Sequence, residues 1–337
     1  MSGDAVGMSR EQHFAIIGGA GFIGSHFADS LLAADATKEV VIYDNFTSGE
    51  YWHLEHHSKD KRLKIVEGQI ADSKKLEKSI SRSDVVIHLA SNPDIAAAMS
   101  NPAIDFDEGT DLTHRVLEAM RVTKARRILY ASGSGVYGDL GNIECNEELT
   151  LTRPVSTYGA SKLAGEALIA AYSHMFGFTG TAFRFGNVVG TRQTHGVAFD
   201  FVRKLLQNPQ ALTILGNGEQ SKSYIHVSDV VKAVLDICST QKTIFDVFNV
   251  ATGDYISVNE IARIVIEELD LVPAAVILDH TPGDRGWKGD VPIVRLSTEK
   301  IRSTGWTCRH STQEAIKISV KGLLEDENRR RITHDAQ

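Results

Sequence analysis

The chain has 337 residues, 42% hydrophobic and 23% charged, and its 36 basic against 43 acidic residues leave a net charge of −7. That length accommodates two domains, or one α/β unit with an appended lobe, and a slightly acidic chain of ordinary composition excludes a broad nucleic-acid surface. No apolar run approaches the roughly 18 residues that span a membrane, and the three scattered cysteines, Cys145, Cys238 and Cys308, lack zinc spacing and fit free thiols in a reducing, cytoplasmic setting.

Residues 1–12 read as a flexible polar tail without signal-peptide order. Short β-rich runs then alternate with helical stretches. Strands are expected at His13–Gly18, Glu39–Asp44, Leu63–Glu67, Val85–Leu89 and Arg127–Ser132, with helices at Ile23–Ala34 and Leu112–Arg121. The runs are nearly continuous in Val, Ile and Leu, the pattern of strands covered on both faces of a parallel sheet. Strand–helix alternation predicts an α/β fold with a doubly wound parallel sheet of the Rossmann type. A helix at Tyr158–Phe176 leads to a strand at Gly180–Val189, and Phe245–Val250 reads as a returning strand. Beyond Val189 the pattern breaks into a helix at Val197–Leu206, short runs and Pro/Gly loops. The expected organisation is a dinucleotide domain over 13–190 with a returning strand at 245–251, a smaller substrate-binding α/β lobe over 191–323, and a tail over 324–337.

The first strand ends in Gly18-Gly19-Ala20-Gly21-Phe22-Ile23-Gly24, and a helix follows. Glycines at this spacing permit a tight turn, let backbone approach a pyrophosphate and let the helix pack on the sheet. The exposed N–H groups and the helix dipole then favour an anion. Asp44 closes the second strand about 20 residues on, where a carboxylate accepts hydrogen bonds from ribose hydroxyls. Asn45 and Phe46 after it are not basic, which favours NAD over its 2′-phosphorylated form.

Tyr158 and Lys162 lie four residues apart, on one helix face. A nearby ammonium lowers a phenol's pKa, so Tyr158 is a candidate general base. The histidines His53, His56 and His57 carry no metalloprotease-type spacing, read as solvated, and no metal is expected.

With these motifs together the chain resembles the extended short-chain dehydrogenase/reductases. It is similar to the NAD-dependent nucleotide-sugar epimerase/dehydratase group, the UDP-glucose 4-epimerases above all. The resemblance runs from about Phe14 to about Leu323. It is carried by Gly18–Gly24, Tyr43-Asp44-Asn45-Phe46-Thr47-Ser48-Gly49, His88-Leu89-Ala90, Val136-Tyr137-Gly138, Tyr158–Lys162, Arg184-Phe185-Gly186-Asn187-Val188-Val189-Gly190 and Lys222–Asp229. It implies a cofactor site of Gly18, Gly21, Phe22, Ile23, Asp44, Asn45, Ser48, Gly49, Gln69, Ile70, Leu89, Ala90, Ser91, Tyr158 and Lys162. Asn187, Lys222 and Arg285 would grip the substrate diphosphate. Lys222 replaces the arginine often found there, which keeps the charge and loses the bidentate fork.

Two departures bear on the reaction. Epimerases place Ser or Thr four residues before the tyrosine of Val136-Tyr137-Gly138, and here that position is Gly133. Either Ser134 takes over, with Ser132 on the other flank, or Tyr158 acts alone. The 4,6-dehydratases place Asp-Glu just before Val-Tyr-Gly, and here Ser134-Gly135 stands there. The resemblance therefore implies a UDP-hexose 4-epimerase working through a transient 4-keto sugar and hydride return, as a homodimer. The alternatives are another nucleotide-sugar enzyme of the group (a 4-keto reductase, dehydrogenase or dehydratase) or a non-catalytic NAD-binding protein.

Overall fold

The computed structural model describes residues 12–123, 125–150 and 152–335, with side chains as far as Arg329. Residues 1–11 of the expected tail lie outside the described residues. Gln12 already belongs to β1 (Gln12–Ile17).

Then follow α1 (Phe22–Leu32), β2 (Thr37–Asp44), β3 (Leu63–Glu67), α2 (Ser73–Ile80), β4 (Val85–His88), α3 (Leu112–Val122), β5 (Arg127–Gly133) and α4 (Thr157–Phe176). With strands Thr179–Phe185 and Phe245–Val250 they build a seven-stranded sheet in the order Phe245–Val250, Thr179–Phe185, β5, β4, β1, β2, β3. Every pairing from β3 to Thr179–Phe185 is parallel. This is the expected doubly wound sheet. Its strand order reverses between β1 and β4, and that reversal opens a crevice at their carboxyl ends.

Central strands are covered on both faces: β4 is wholly buried, and so are the last four residues of β1. β3 is not. Lys64, Ile65 and Glu67 are exposed because β3 is the sheet edge, where charged side chains discourage further pairing. Before α3 the backbone takes one π turn at Phe106–Asp111. There Gly109 is buried against α4, where a Cβ would collide with the Ser161 hydroxyl.

Two compact units emerge. One comprises Met1–Val136, Thr157–Phe185 and Val231–Phe248; the other Tyr137–Ser156, Gly186–Val230 and Asn249–Gln337. The chain passes between the units more often than the expected boundary at 190 and returning strand at 245–251 provide. One cause is Gly186, which divides the expected strand Gly180–Val189. Thr179–Phe185 joins the main sheet, while Asn187–Val189 pairs in parallel with Tyr224–His226 of the second unit. In that unit α5 (Val197–Gln207), α6 (Val258–Glu268) and the C-terminal helix Thr312–Asp335 share a core that includes Phe201, Leu205, Ile261, Val265, Ile316 and Val320. The expected tail from 324 is instead the last turns of that helix. Its buried face stops at Leu323, but the following Glu- and Arg-rich residues have high helix propensity and carry it on.

Candidate functional site

The phosphate loop is built from close backbone approaches. Gly18 has φ +81°, a left-handed value suited to glycine, and its N–H donates to the Tyr43 carbonyl at 2.9 Å. Leu89 and Ala90, just past β4, both donate to the Ile17 carbonyl, at 2.9 and 3.0 Å. A Cβ on Gly18 would sit 2.8 Å from the Ala90 nitrogen, and one on Gly24 would collide with the Gly18 carbonyl. Here α1 begins at Phe22 and Ile23, with Gly21 at its N-cap and no side chain capping the first turn. The first-turn N–H groups therefore remain for an anion. This cradle, which added Cβ atoms would fill, fits a dinucleotide pyrophosphate.

Asp44 does more than wait for a ribose. It is 7% exposed, and its carboxylate accepts from the Ala20 and Phe46 N–H groups, each at 2.8 Å. Burial pushes its pKa up while these N–H bonds pull it down. A Cβ on Gly49 would sit 2.9 Å from the same carboxylate. The exposed side chains of Asn45 and Gln69 meet at 3.3 Å, and the Tyr43 hydroxyl donates to the Gln69 carbonyl at 2.7 Å. Ser48 is exposed on the same turn, whereas Ile70 packs against the core.

The second element of the site stands on α4. Lys162 Nζ donates to the Ala131 carbonyl at 2.9 Å and lies 5.4 Å from the Tyr158 ring centre. Burial pulls its pKa down to about 8, against the opposing pull of Asp105. The expectation that Lys162 draws the Tyr158 phenol down needs correcting: burial dominates and pushes it up to about 12, while a hydrogen bond with Ser91 acts the other way. Ser91 thus sits at the phenol as well as at the end of β4.

Ser132 and Ser134 part company. The Ser132 hydroxyl is buried and donates to Glu166 at 2.5 Å, and Glu166 is itself gripped by Arg184 at 2.7 and 3.0 Å. Ser134 is half-buried in a one-turn helix, Ser134–Tyr137. Between them, a Cβ on Gly133 would meet nothing within 4 Å.

In the second unit, Lys222 and Arg285 both meet Asp290, one at its carboxylate and the other at its main-chain carbonyl. Lys222 Nζ pairs with Asp290 at 2.6 Å. Arg285 donates to the Asp290 carbonyl at 2.7 Å and to the Asp139 carboxylate at 2.6 Å. Asn187 hydrogen-bonds the buried Tyr224, whose pKa rises through burial. Nothing local marks Asp290 as the partner of Lys222, which stands 68 residues earlier in the chain.

The histidines also differ from expectation. His53 is fully buried, and its Nδ1 lies 2.8 Å from the Ala20 carbonyl. His56 and His57 are not simply solvated either, since both ring Nε2 atoms meet Asp29, at 2.7 and 2.8 Å.

A glycine cradle at the switch point of a parallel sheet, with a Tyr–Lys helix in the same unit, defines a dinucleotide-dependent protein of the Rossmann class. Residues 14–251 match the model of the NAD dependent epimerase/dehydratase family, and the chain belongs to that family. Its dinucleotide is accordingly NAD. A putative UDP-glucose 4-epimerase of Methanocaldococcus jannaschii is 32% identical over 321 residues, covering 93% of this chain and 99% of that protein. Among solved structures, a UDP-galactose 4-epimerase is 35% identical with a TM-score of 0.81, covering 93% of this chain and 99% of the other. The Thermus thermophilus UDP-glucose 4-epimerase in complex with NAD is 27% identical with a TM-score of 0.82, at the same coverage. dTDP-D-glucose 4,6-dehydratases are also among the relatives. The chain is therefore a nucleotide-sugar epimerase/dehydratase-family enzyme, and no described helix is long and apolar enough to cross a membrane.

Proposed function

We propose that the protein is an NAD-dependent nucleotide-sugar 4-epimerase acting on a UDP-hexose of the UDP-glucose/UDP-galactose type. The observation that carries this is the residue set around the Tyr–Lys pair. Tyr158 and Lys162 are present, and Ser134-Gly135 stands where dehydratases carry their Asp-Glu pair. A dehydratase must move protons at two further carbons, whereas 4-epimerisation needs one acid–base group at one hydroxyl.

NAD supplies a hydride acceptor and donor when bound. Tyr158, its buried phenol ionising against the positive charges of Lys162 and of bound NAD, would take the proton of the sugar 4-hydroxyl and return it after the 4-keto sugar has turned over. Lys162 supplies positive charge beside the phenol as it ionises. Ser134 is the hydroxyl left to bridge substrate and Tyr158, because Ser132 is engaged by Glu166. Asn187, Lys222 and Arg285 grip the diphosphate. To do so the two cations exchange the Asp290 and Asp139 carboxylates, or share them, with the substrate anion.

A homodimer through the α3 and α4 region is supported by the exposed Phe106, Val122 and Met175, which are 61, 57 and 72% exposed in this chain. The three scattered cysteines, without zinc-type spacing, suit a cytoplasmic protein.

Purified protein incubated with UDP-glucose, without added dinucleotide, tests the reading by NMR of the sugar products. UDP-galactose formed to an equilibrium mixture is the expected result. A product lighter by one water assigns the chain to the dehydratases, and product formed only in a parallel incubation with added NAD(H), which is consumed as it forms, assigns it to the dehydrogenases or reductases.

A further inference from the structure

Asp105 lies at the start of the π turn and is 2% exposed. Its oxygens are held by neutral donors: Asn92 Nδ2 reaches Oδ1 at 2.9 Å, and Thr157 Oγ1 reaches Oδ2 at 2.6 Å. Asn92 is in turn fixed by both backbone groups of Asp94, at 2.8 and 2.9 Å. Both donors are chain neighbours of the reacting group. Thr157 immediately precedes Tyr158, and Asn92 immediately follows Ser91, which hydrogen-bonds the phenol. A buried carboxylate held only by neutral groups is costly, so it calls for a cation whose charge it can balance.

The cation closest in the helix is Lys162, five residues along α4 from the Thr157 that holds Asp105. Its ammonium has a backbone carbonyl and two tyrosine rings as contacts, and Asp105 is the carboxylate acting on it. Several other titratable groups packed around α4 are already balanced or neutral. Glu166 is paired with Arg184, and Glu118 of α3 with Arg121. His88 of β4 is held neutral by burial and by Lys162, its pKa pulled down to about 3. Burial also keeps the Tyr130 phenol of β5 protonated. Asp107 and Glu108, on the same π turn as Asp105, are exposed to solvent.

We propose that Asp105 is a positioning residue for the Tyr158–Lys162 pair: clamped by Asn92 and Thr157, it supplies the buried negative charge against which Lys162 stays an ammonium. This rests on the reading of Tyr158 as the acid–base group. Asp105 also raises the Tyr158 phenol, so its help to the pair runs through Lys162: a neutral Lys162 would leave the phenolate without a countercharge, and Asp105 extends to higher pH the range in which that countercharge is present.

The test follows Lys162 directly, by NMR of the full chain carrying carbon-13-labelled lysine, its signal assigned by loss in Lys162→Met. The parent step is expected near pH 8. Asp105→Asn should lower it by about one pH unit, a roughly tenfold weaker proton affinity. Thr157→Val keeps the charge but frees one oxygen, and should move the step part-way in the same direction. The alkaline limb of turnover should follow in both variants. A folded Asp105→Asn protein whose Lys162 titrates where the parent's does overturns the proposal. Should that variant not fold, Thr157→Val decides alone: a lowered step supports the proposal and an unmoved one overturns it. Absence of UDP-sugar turnover in the parent counts against the epimerase reading instead, with the Lys162 titration still readable.

Discussion

Ser132 and Ser134 flank the same glycine, yet their substitution should fail in different ways. Removing the Ser132 hydroxyl takes a donor from the buried Glu166–Arg184 pair. Ser132→Ala should therefore cost about 1–3 kcal/mol of stability, seen as a lowered denaturation midpoint. Ser134→Ala should leave that midpoint within about 0.5 kcal/mol of the parent and lower turnover by about tenfold or more. Equal turnover in the parent and Ser134→Ala would remove the serine from the mechanism and leave Tyr158 acting alone. Gly133→Ser offers a gain-of-function control, because its Cβ enters open space and returns a hydroxyl to the position where epimerases carry one. The sequence brought all three positions into view. It could not rank the serines, because the partner that engages Ser132 stands 34 residues later, on α4.

At the scale of elements, the segment after β2 shows where sequence pattern runs out. Its two single-turn helices, Tyr51–His53 and Glu55–His57, are too short for any hydrophobic period to register. Polarity alone made His53 look solvated. In the fold its Nδ1 must carry the proton, since the Ala20 carbonyl can only accept. The Ala20 N–H is held by Asp44 from the other side, and Gly49 closes against Ala20 as well. The phosphate loop is thus fastened not only by the Tyr43–Gly49 motif but also by His53, beyond it. His53→Ala should remove one of the two donors to the Ala20 carbonyl, the Glu50 N–H remaining at 3.1 Å, cost about 1 kcal/mol for the lost hydrogen bond, and reduce the NAD that co-purifies with the protein. Dinucleotide content by absorbance of the denatured supernatant, beside a thermal melt, checks both effects. Unchanged NAD content in a destabilised His53→Ala protein would separate the fastening from cofactor retention. By contrast, the glycine loop, the parallel strands and the Tyr–Lys helix were legible in advance, because each is encoded by local spacing. β3 exposure, the Gly186 break and the C-terminal helix were not, because each depends on what lies beside the element in space.

For the whole molecule, the net charge of −7 says little about how anions bind, since the decisive charges are local and mutually tied. The same holds for pH dependence, which a single buried group can dominate over a chosen window. Lys162 titrates near 8 in the folded protein against 10.5 for a free lysine side chain. Between those values the unfolded chain holds a proton that the native state has released, so stability rises as pH rises through that window. Below about pH 8 the native state carries the full cost of the buried ammonium. The pKa difference corresponds to a gain of about 3 kcal/mol across the window. Tyr158 acts in the opposite sense at higher pH. Its phenol stays protonated up to about 12 against 10.0 when free, so that contribution falls away above about pH 10. Urea denaturation of the parent from about pH 7 to about pH 10, beside Lys162→Met, isolates the lysine. The variant has no ammonium to bury and should show a flatter profile, with its advantage over the parent greatest at pH 7 and shrinking toward pH 10. Parallel profiles for the two proteins would mean that the Lys162 ammonium is compensated in the native state as fully as in water. The burial of Lys162 on α4 would then carry no thermodynamic cost for the active site to balance.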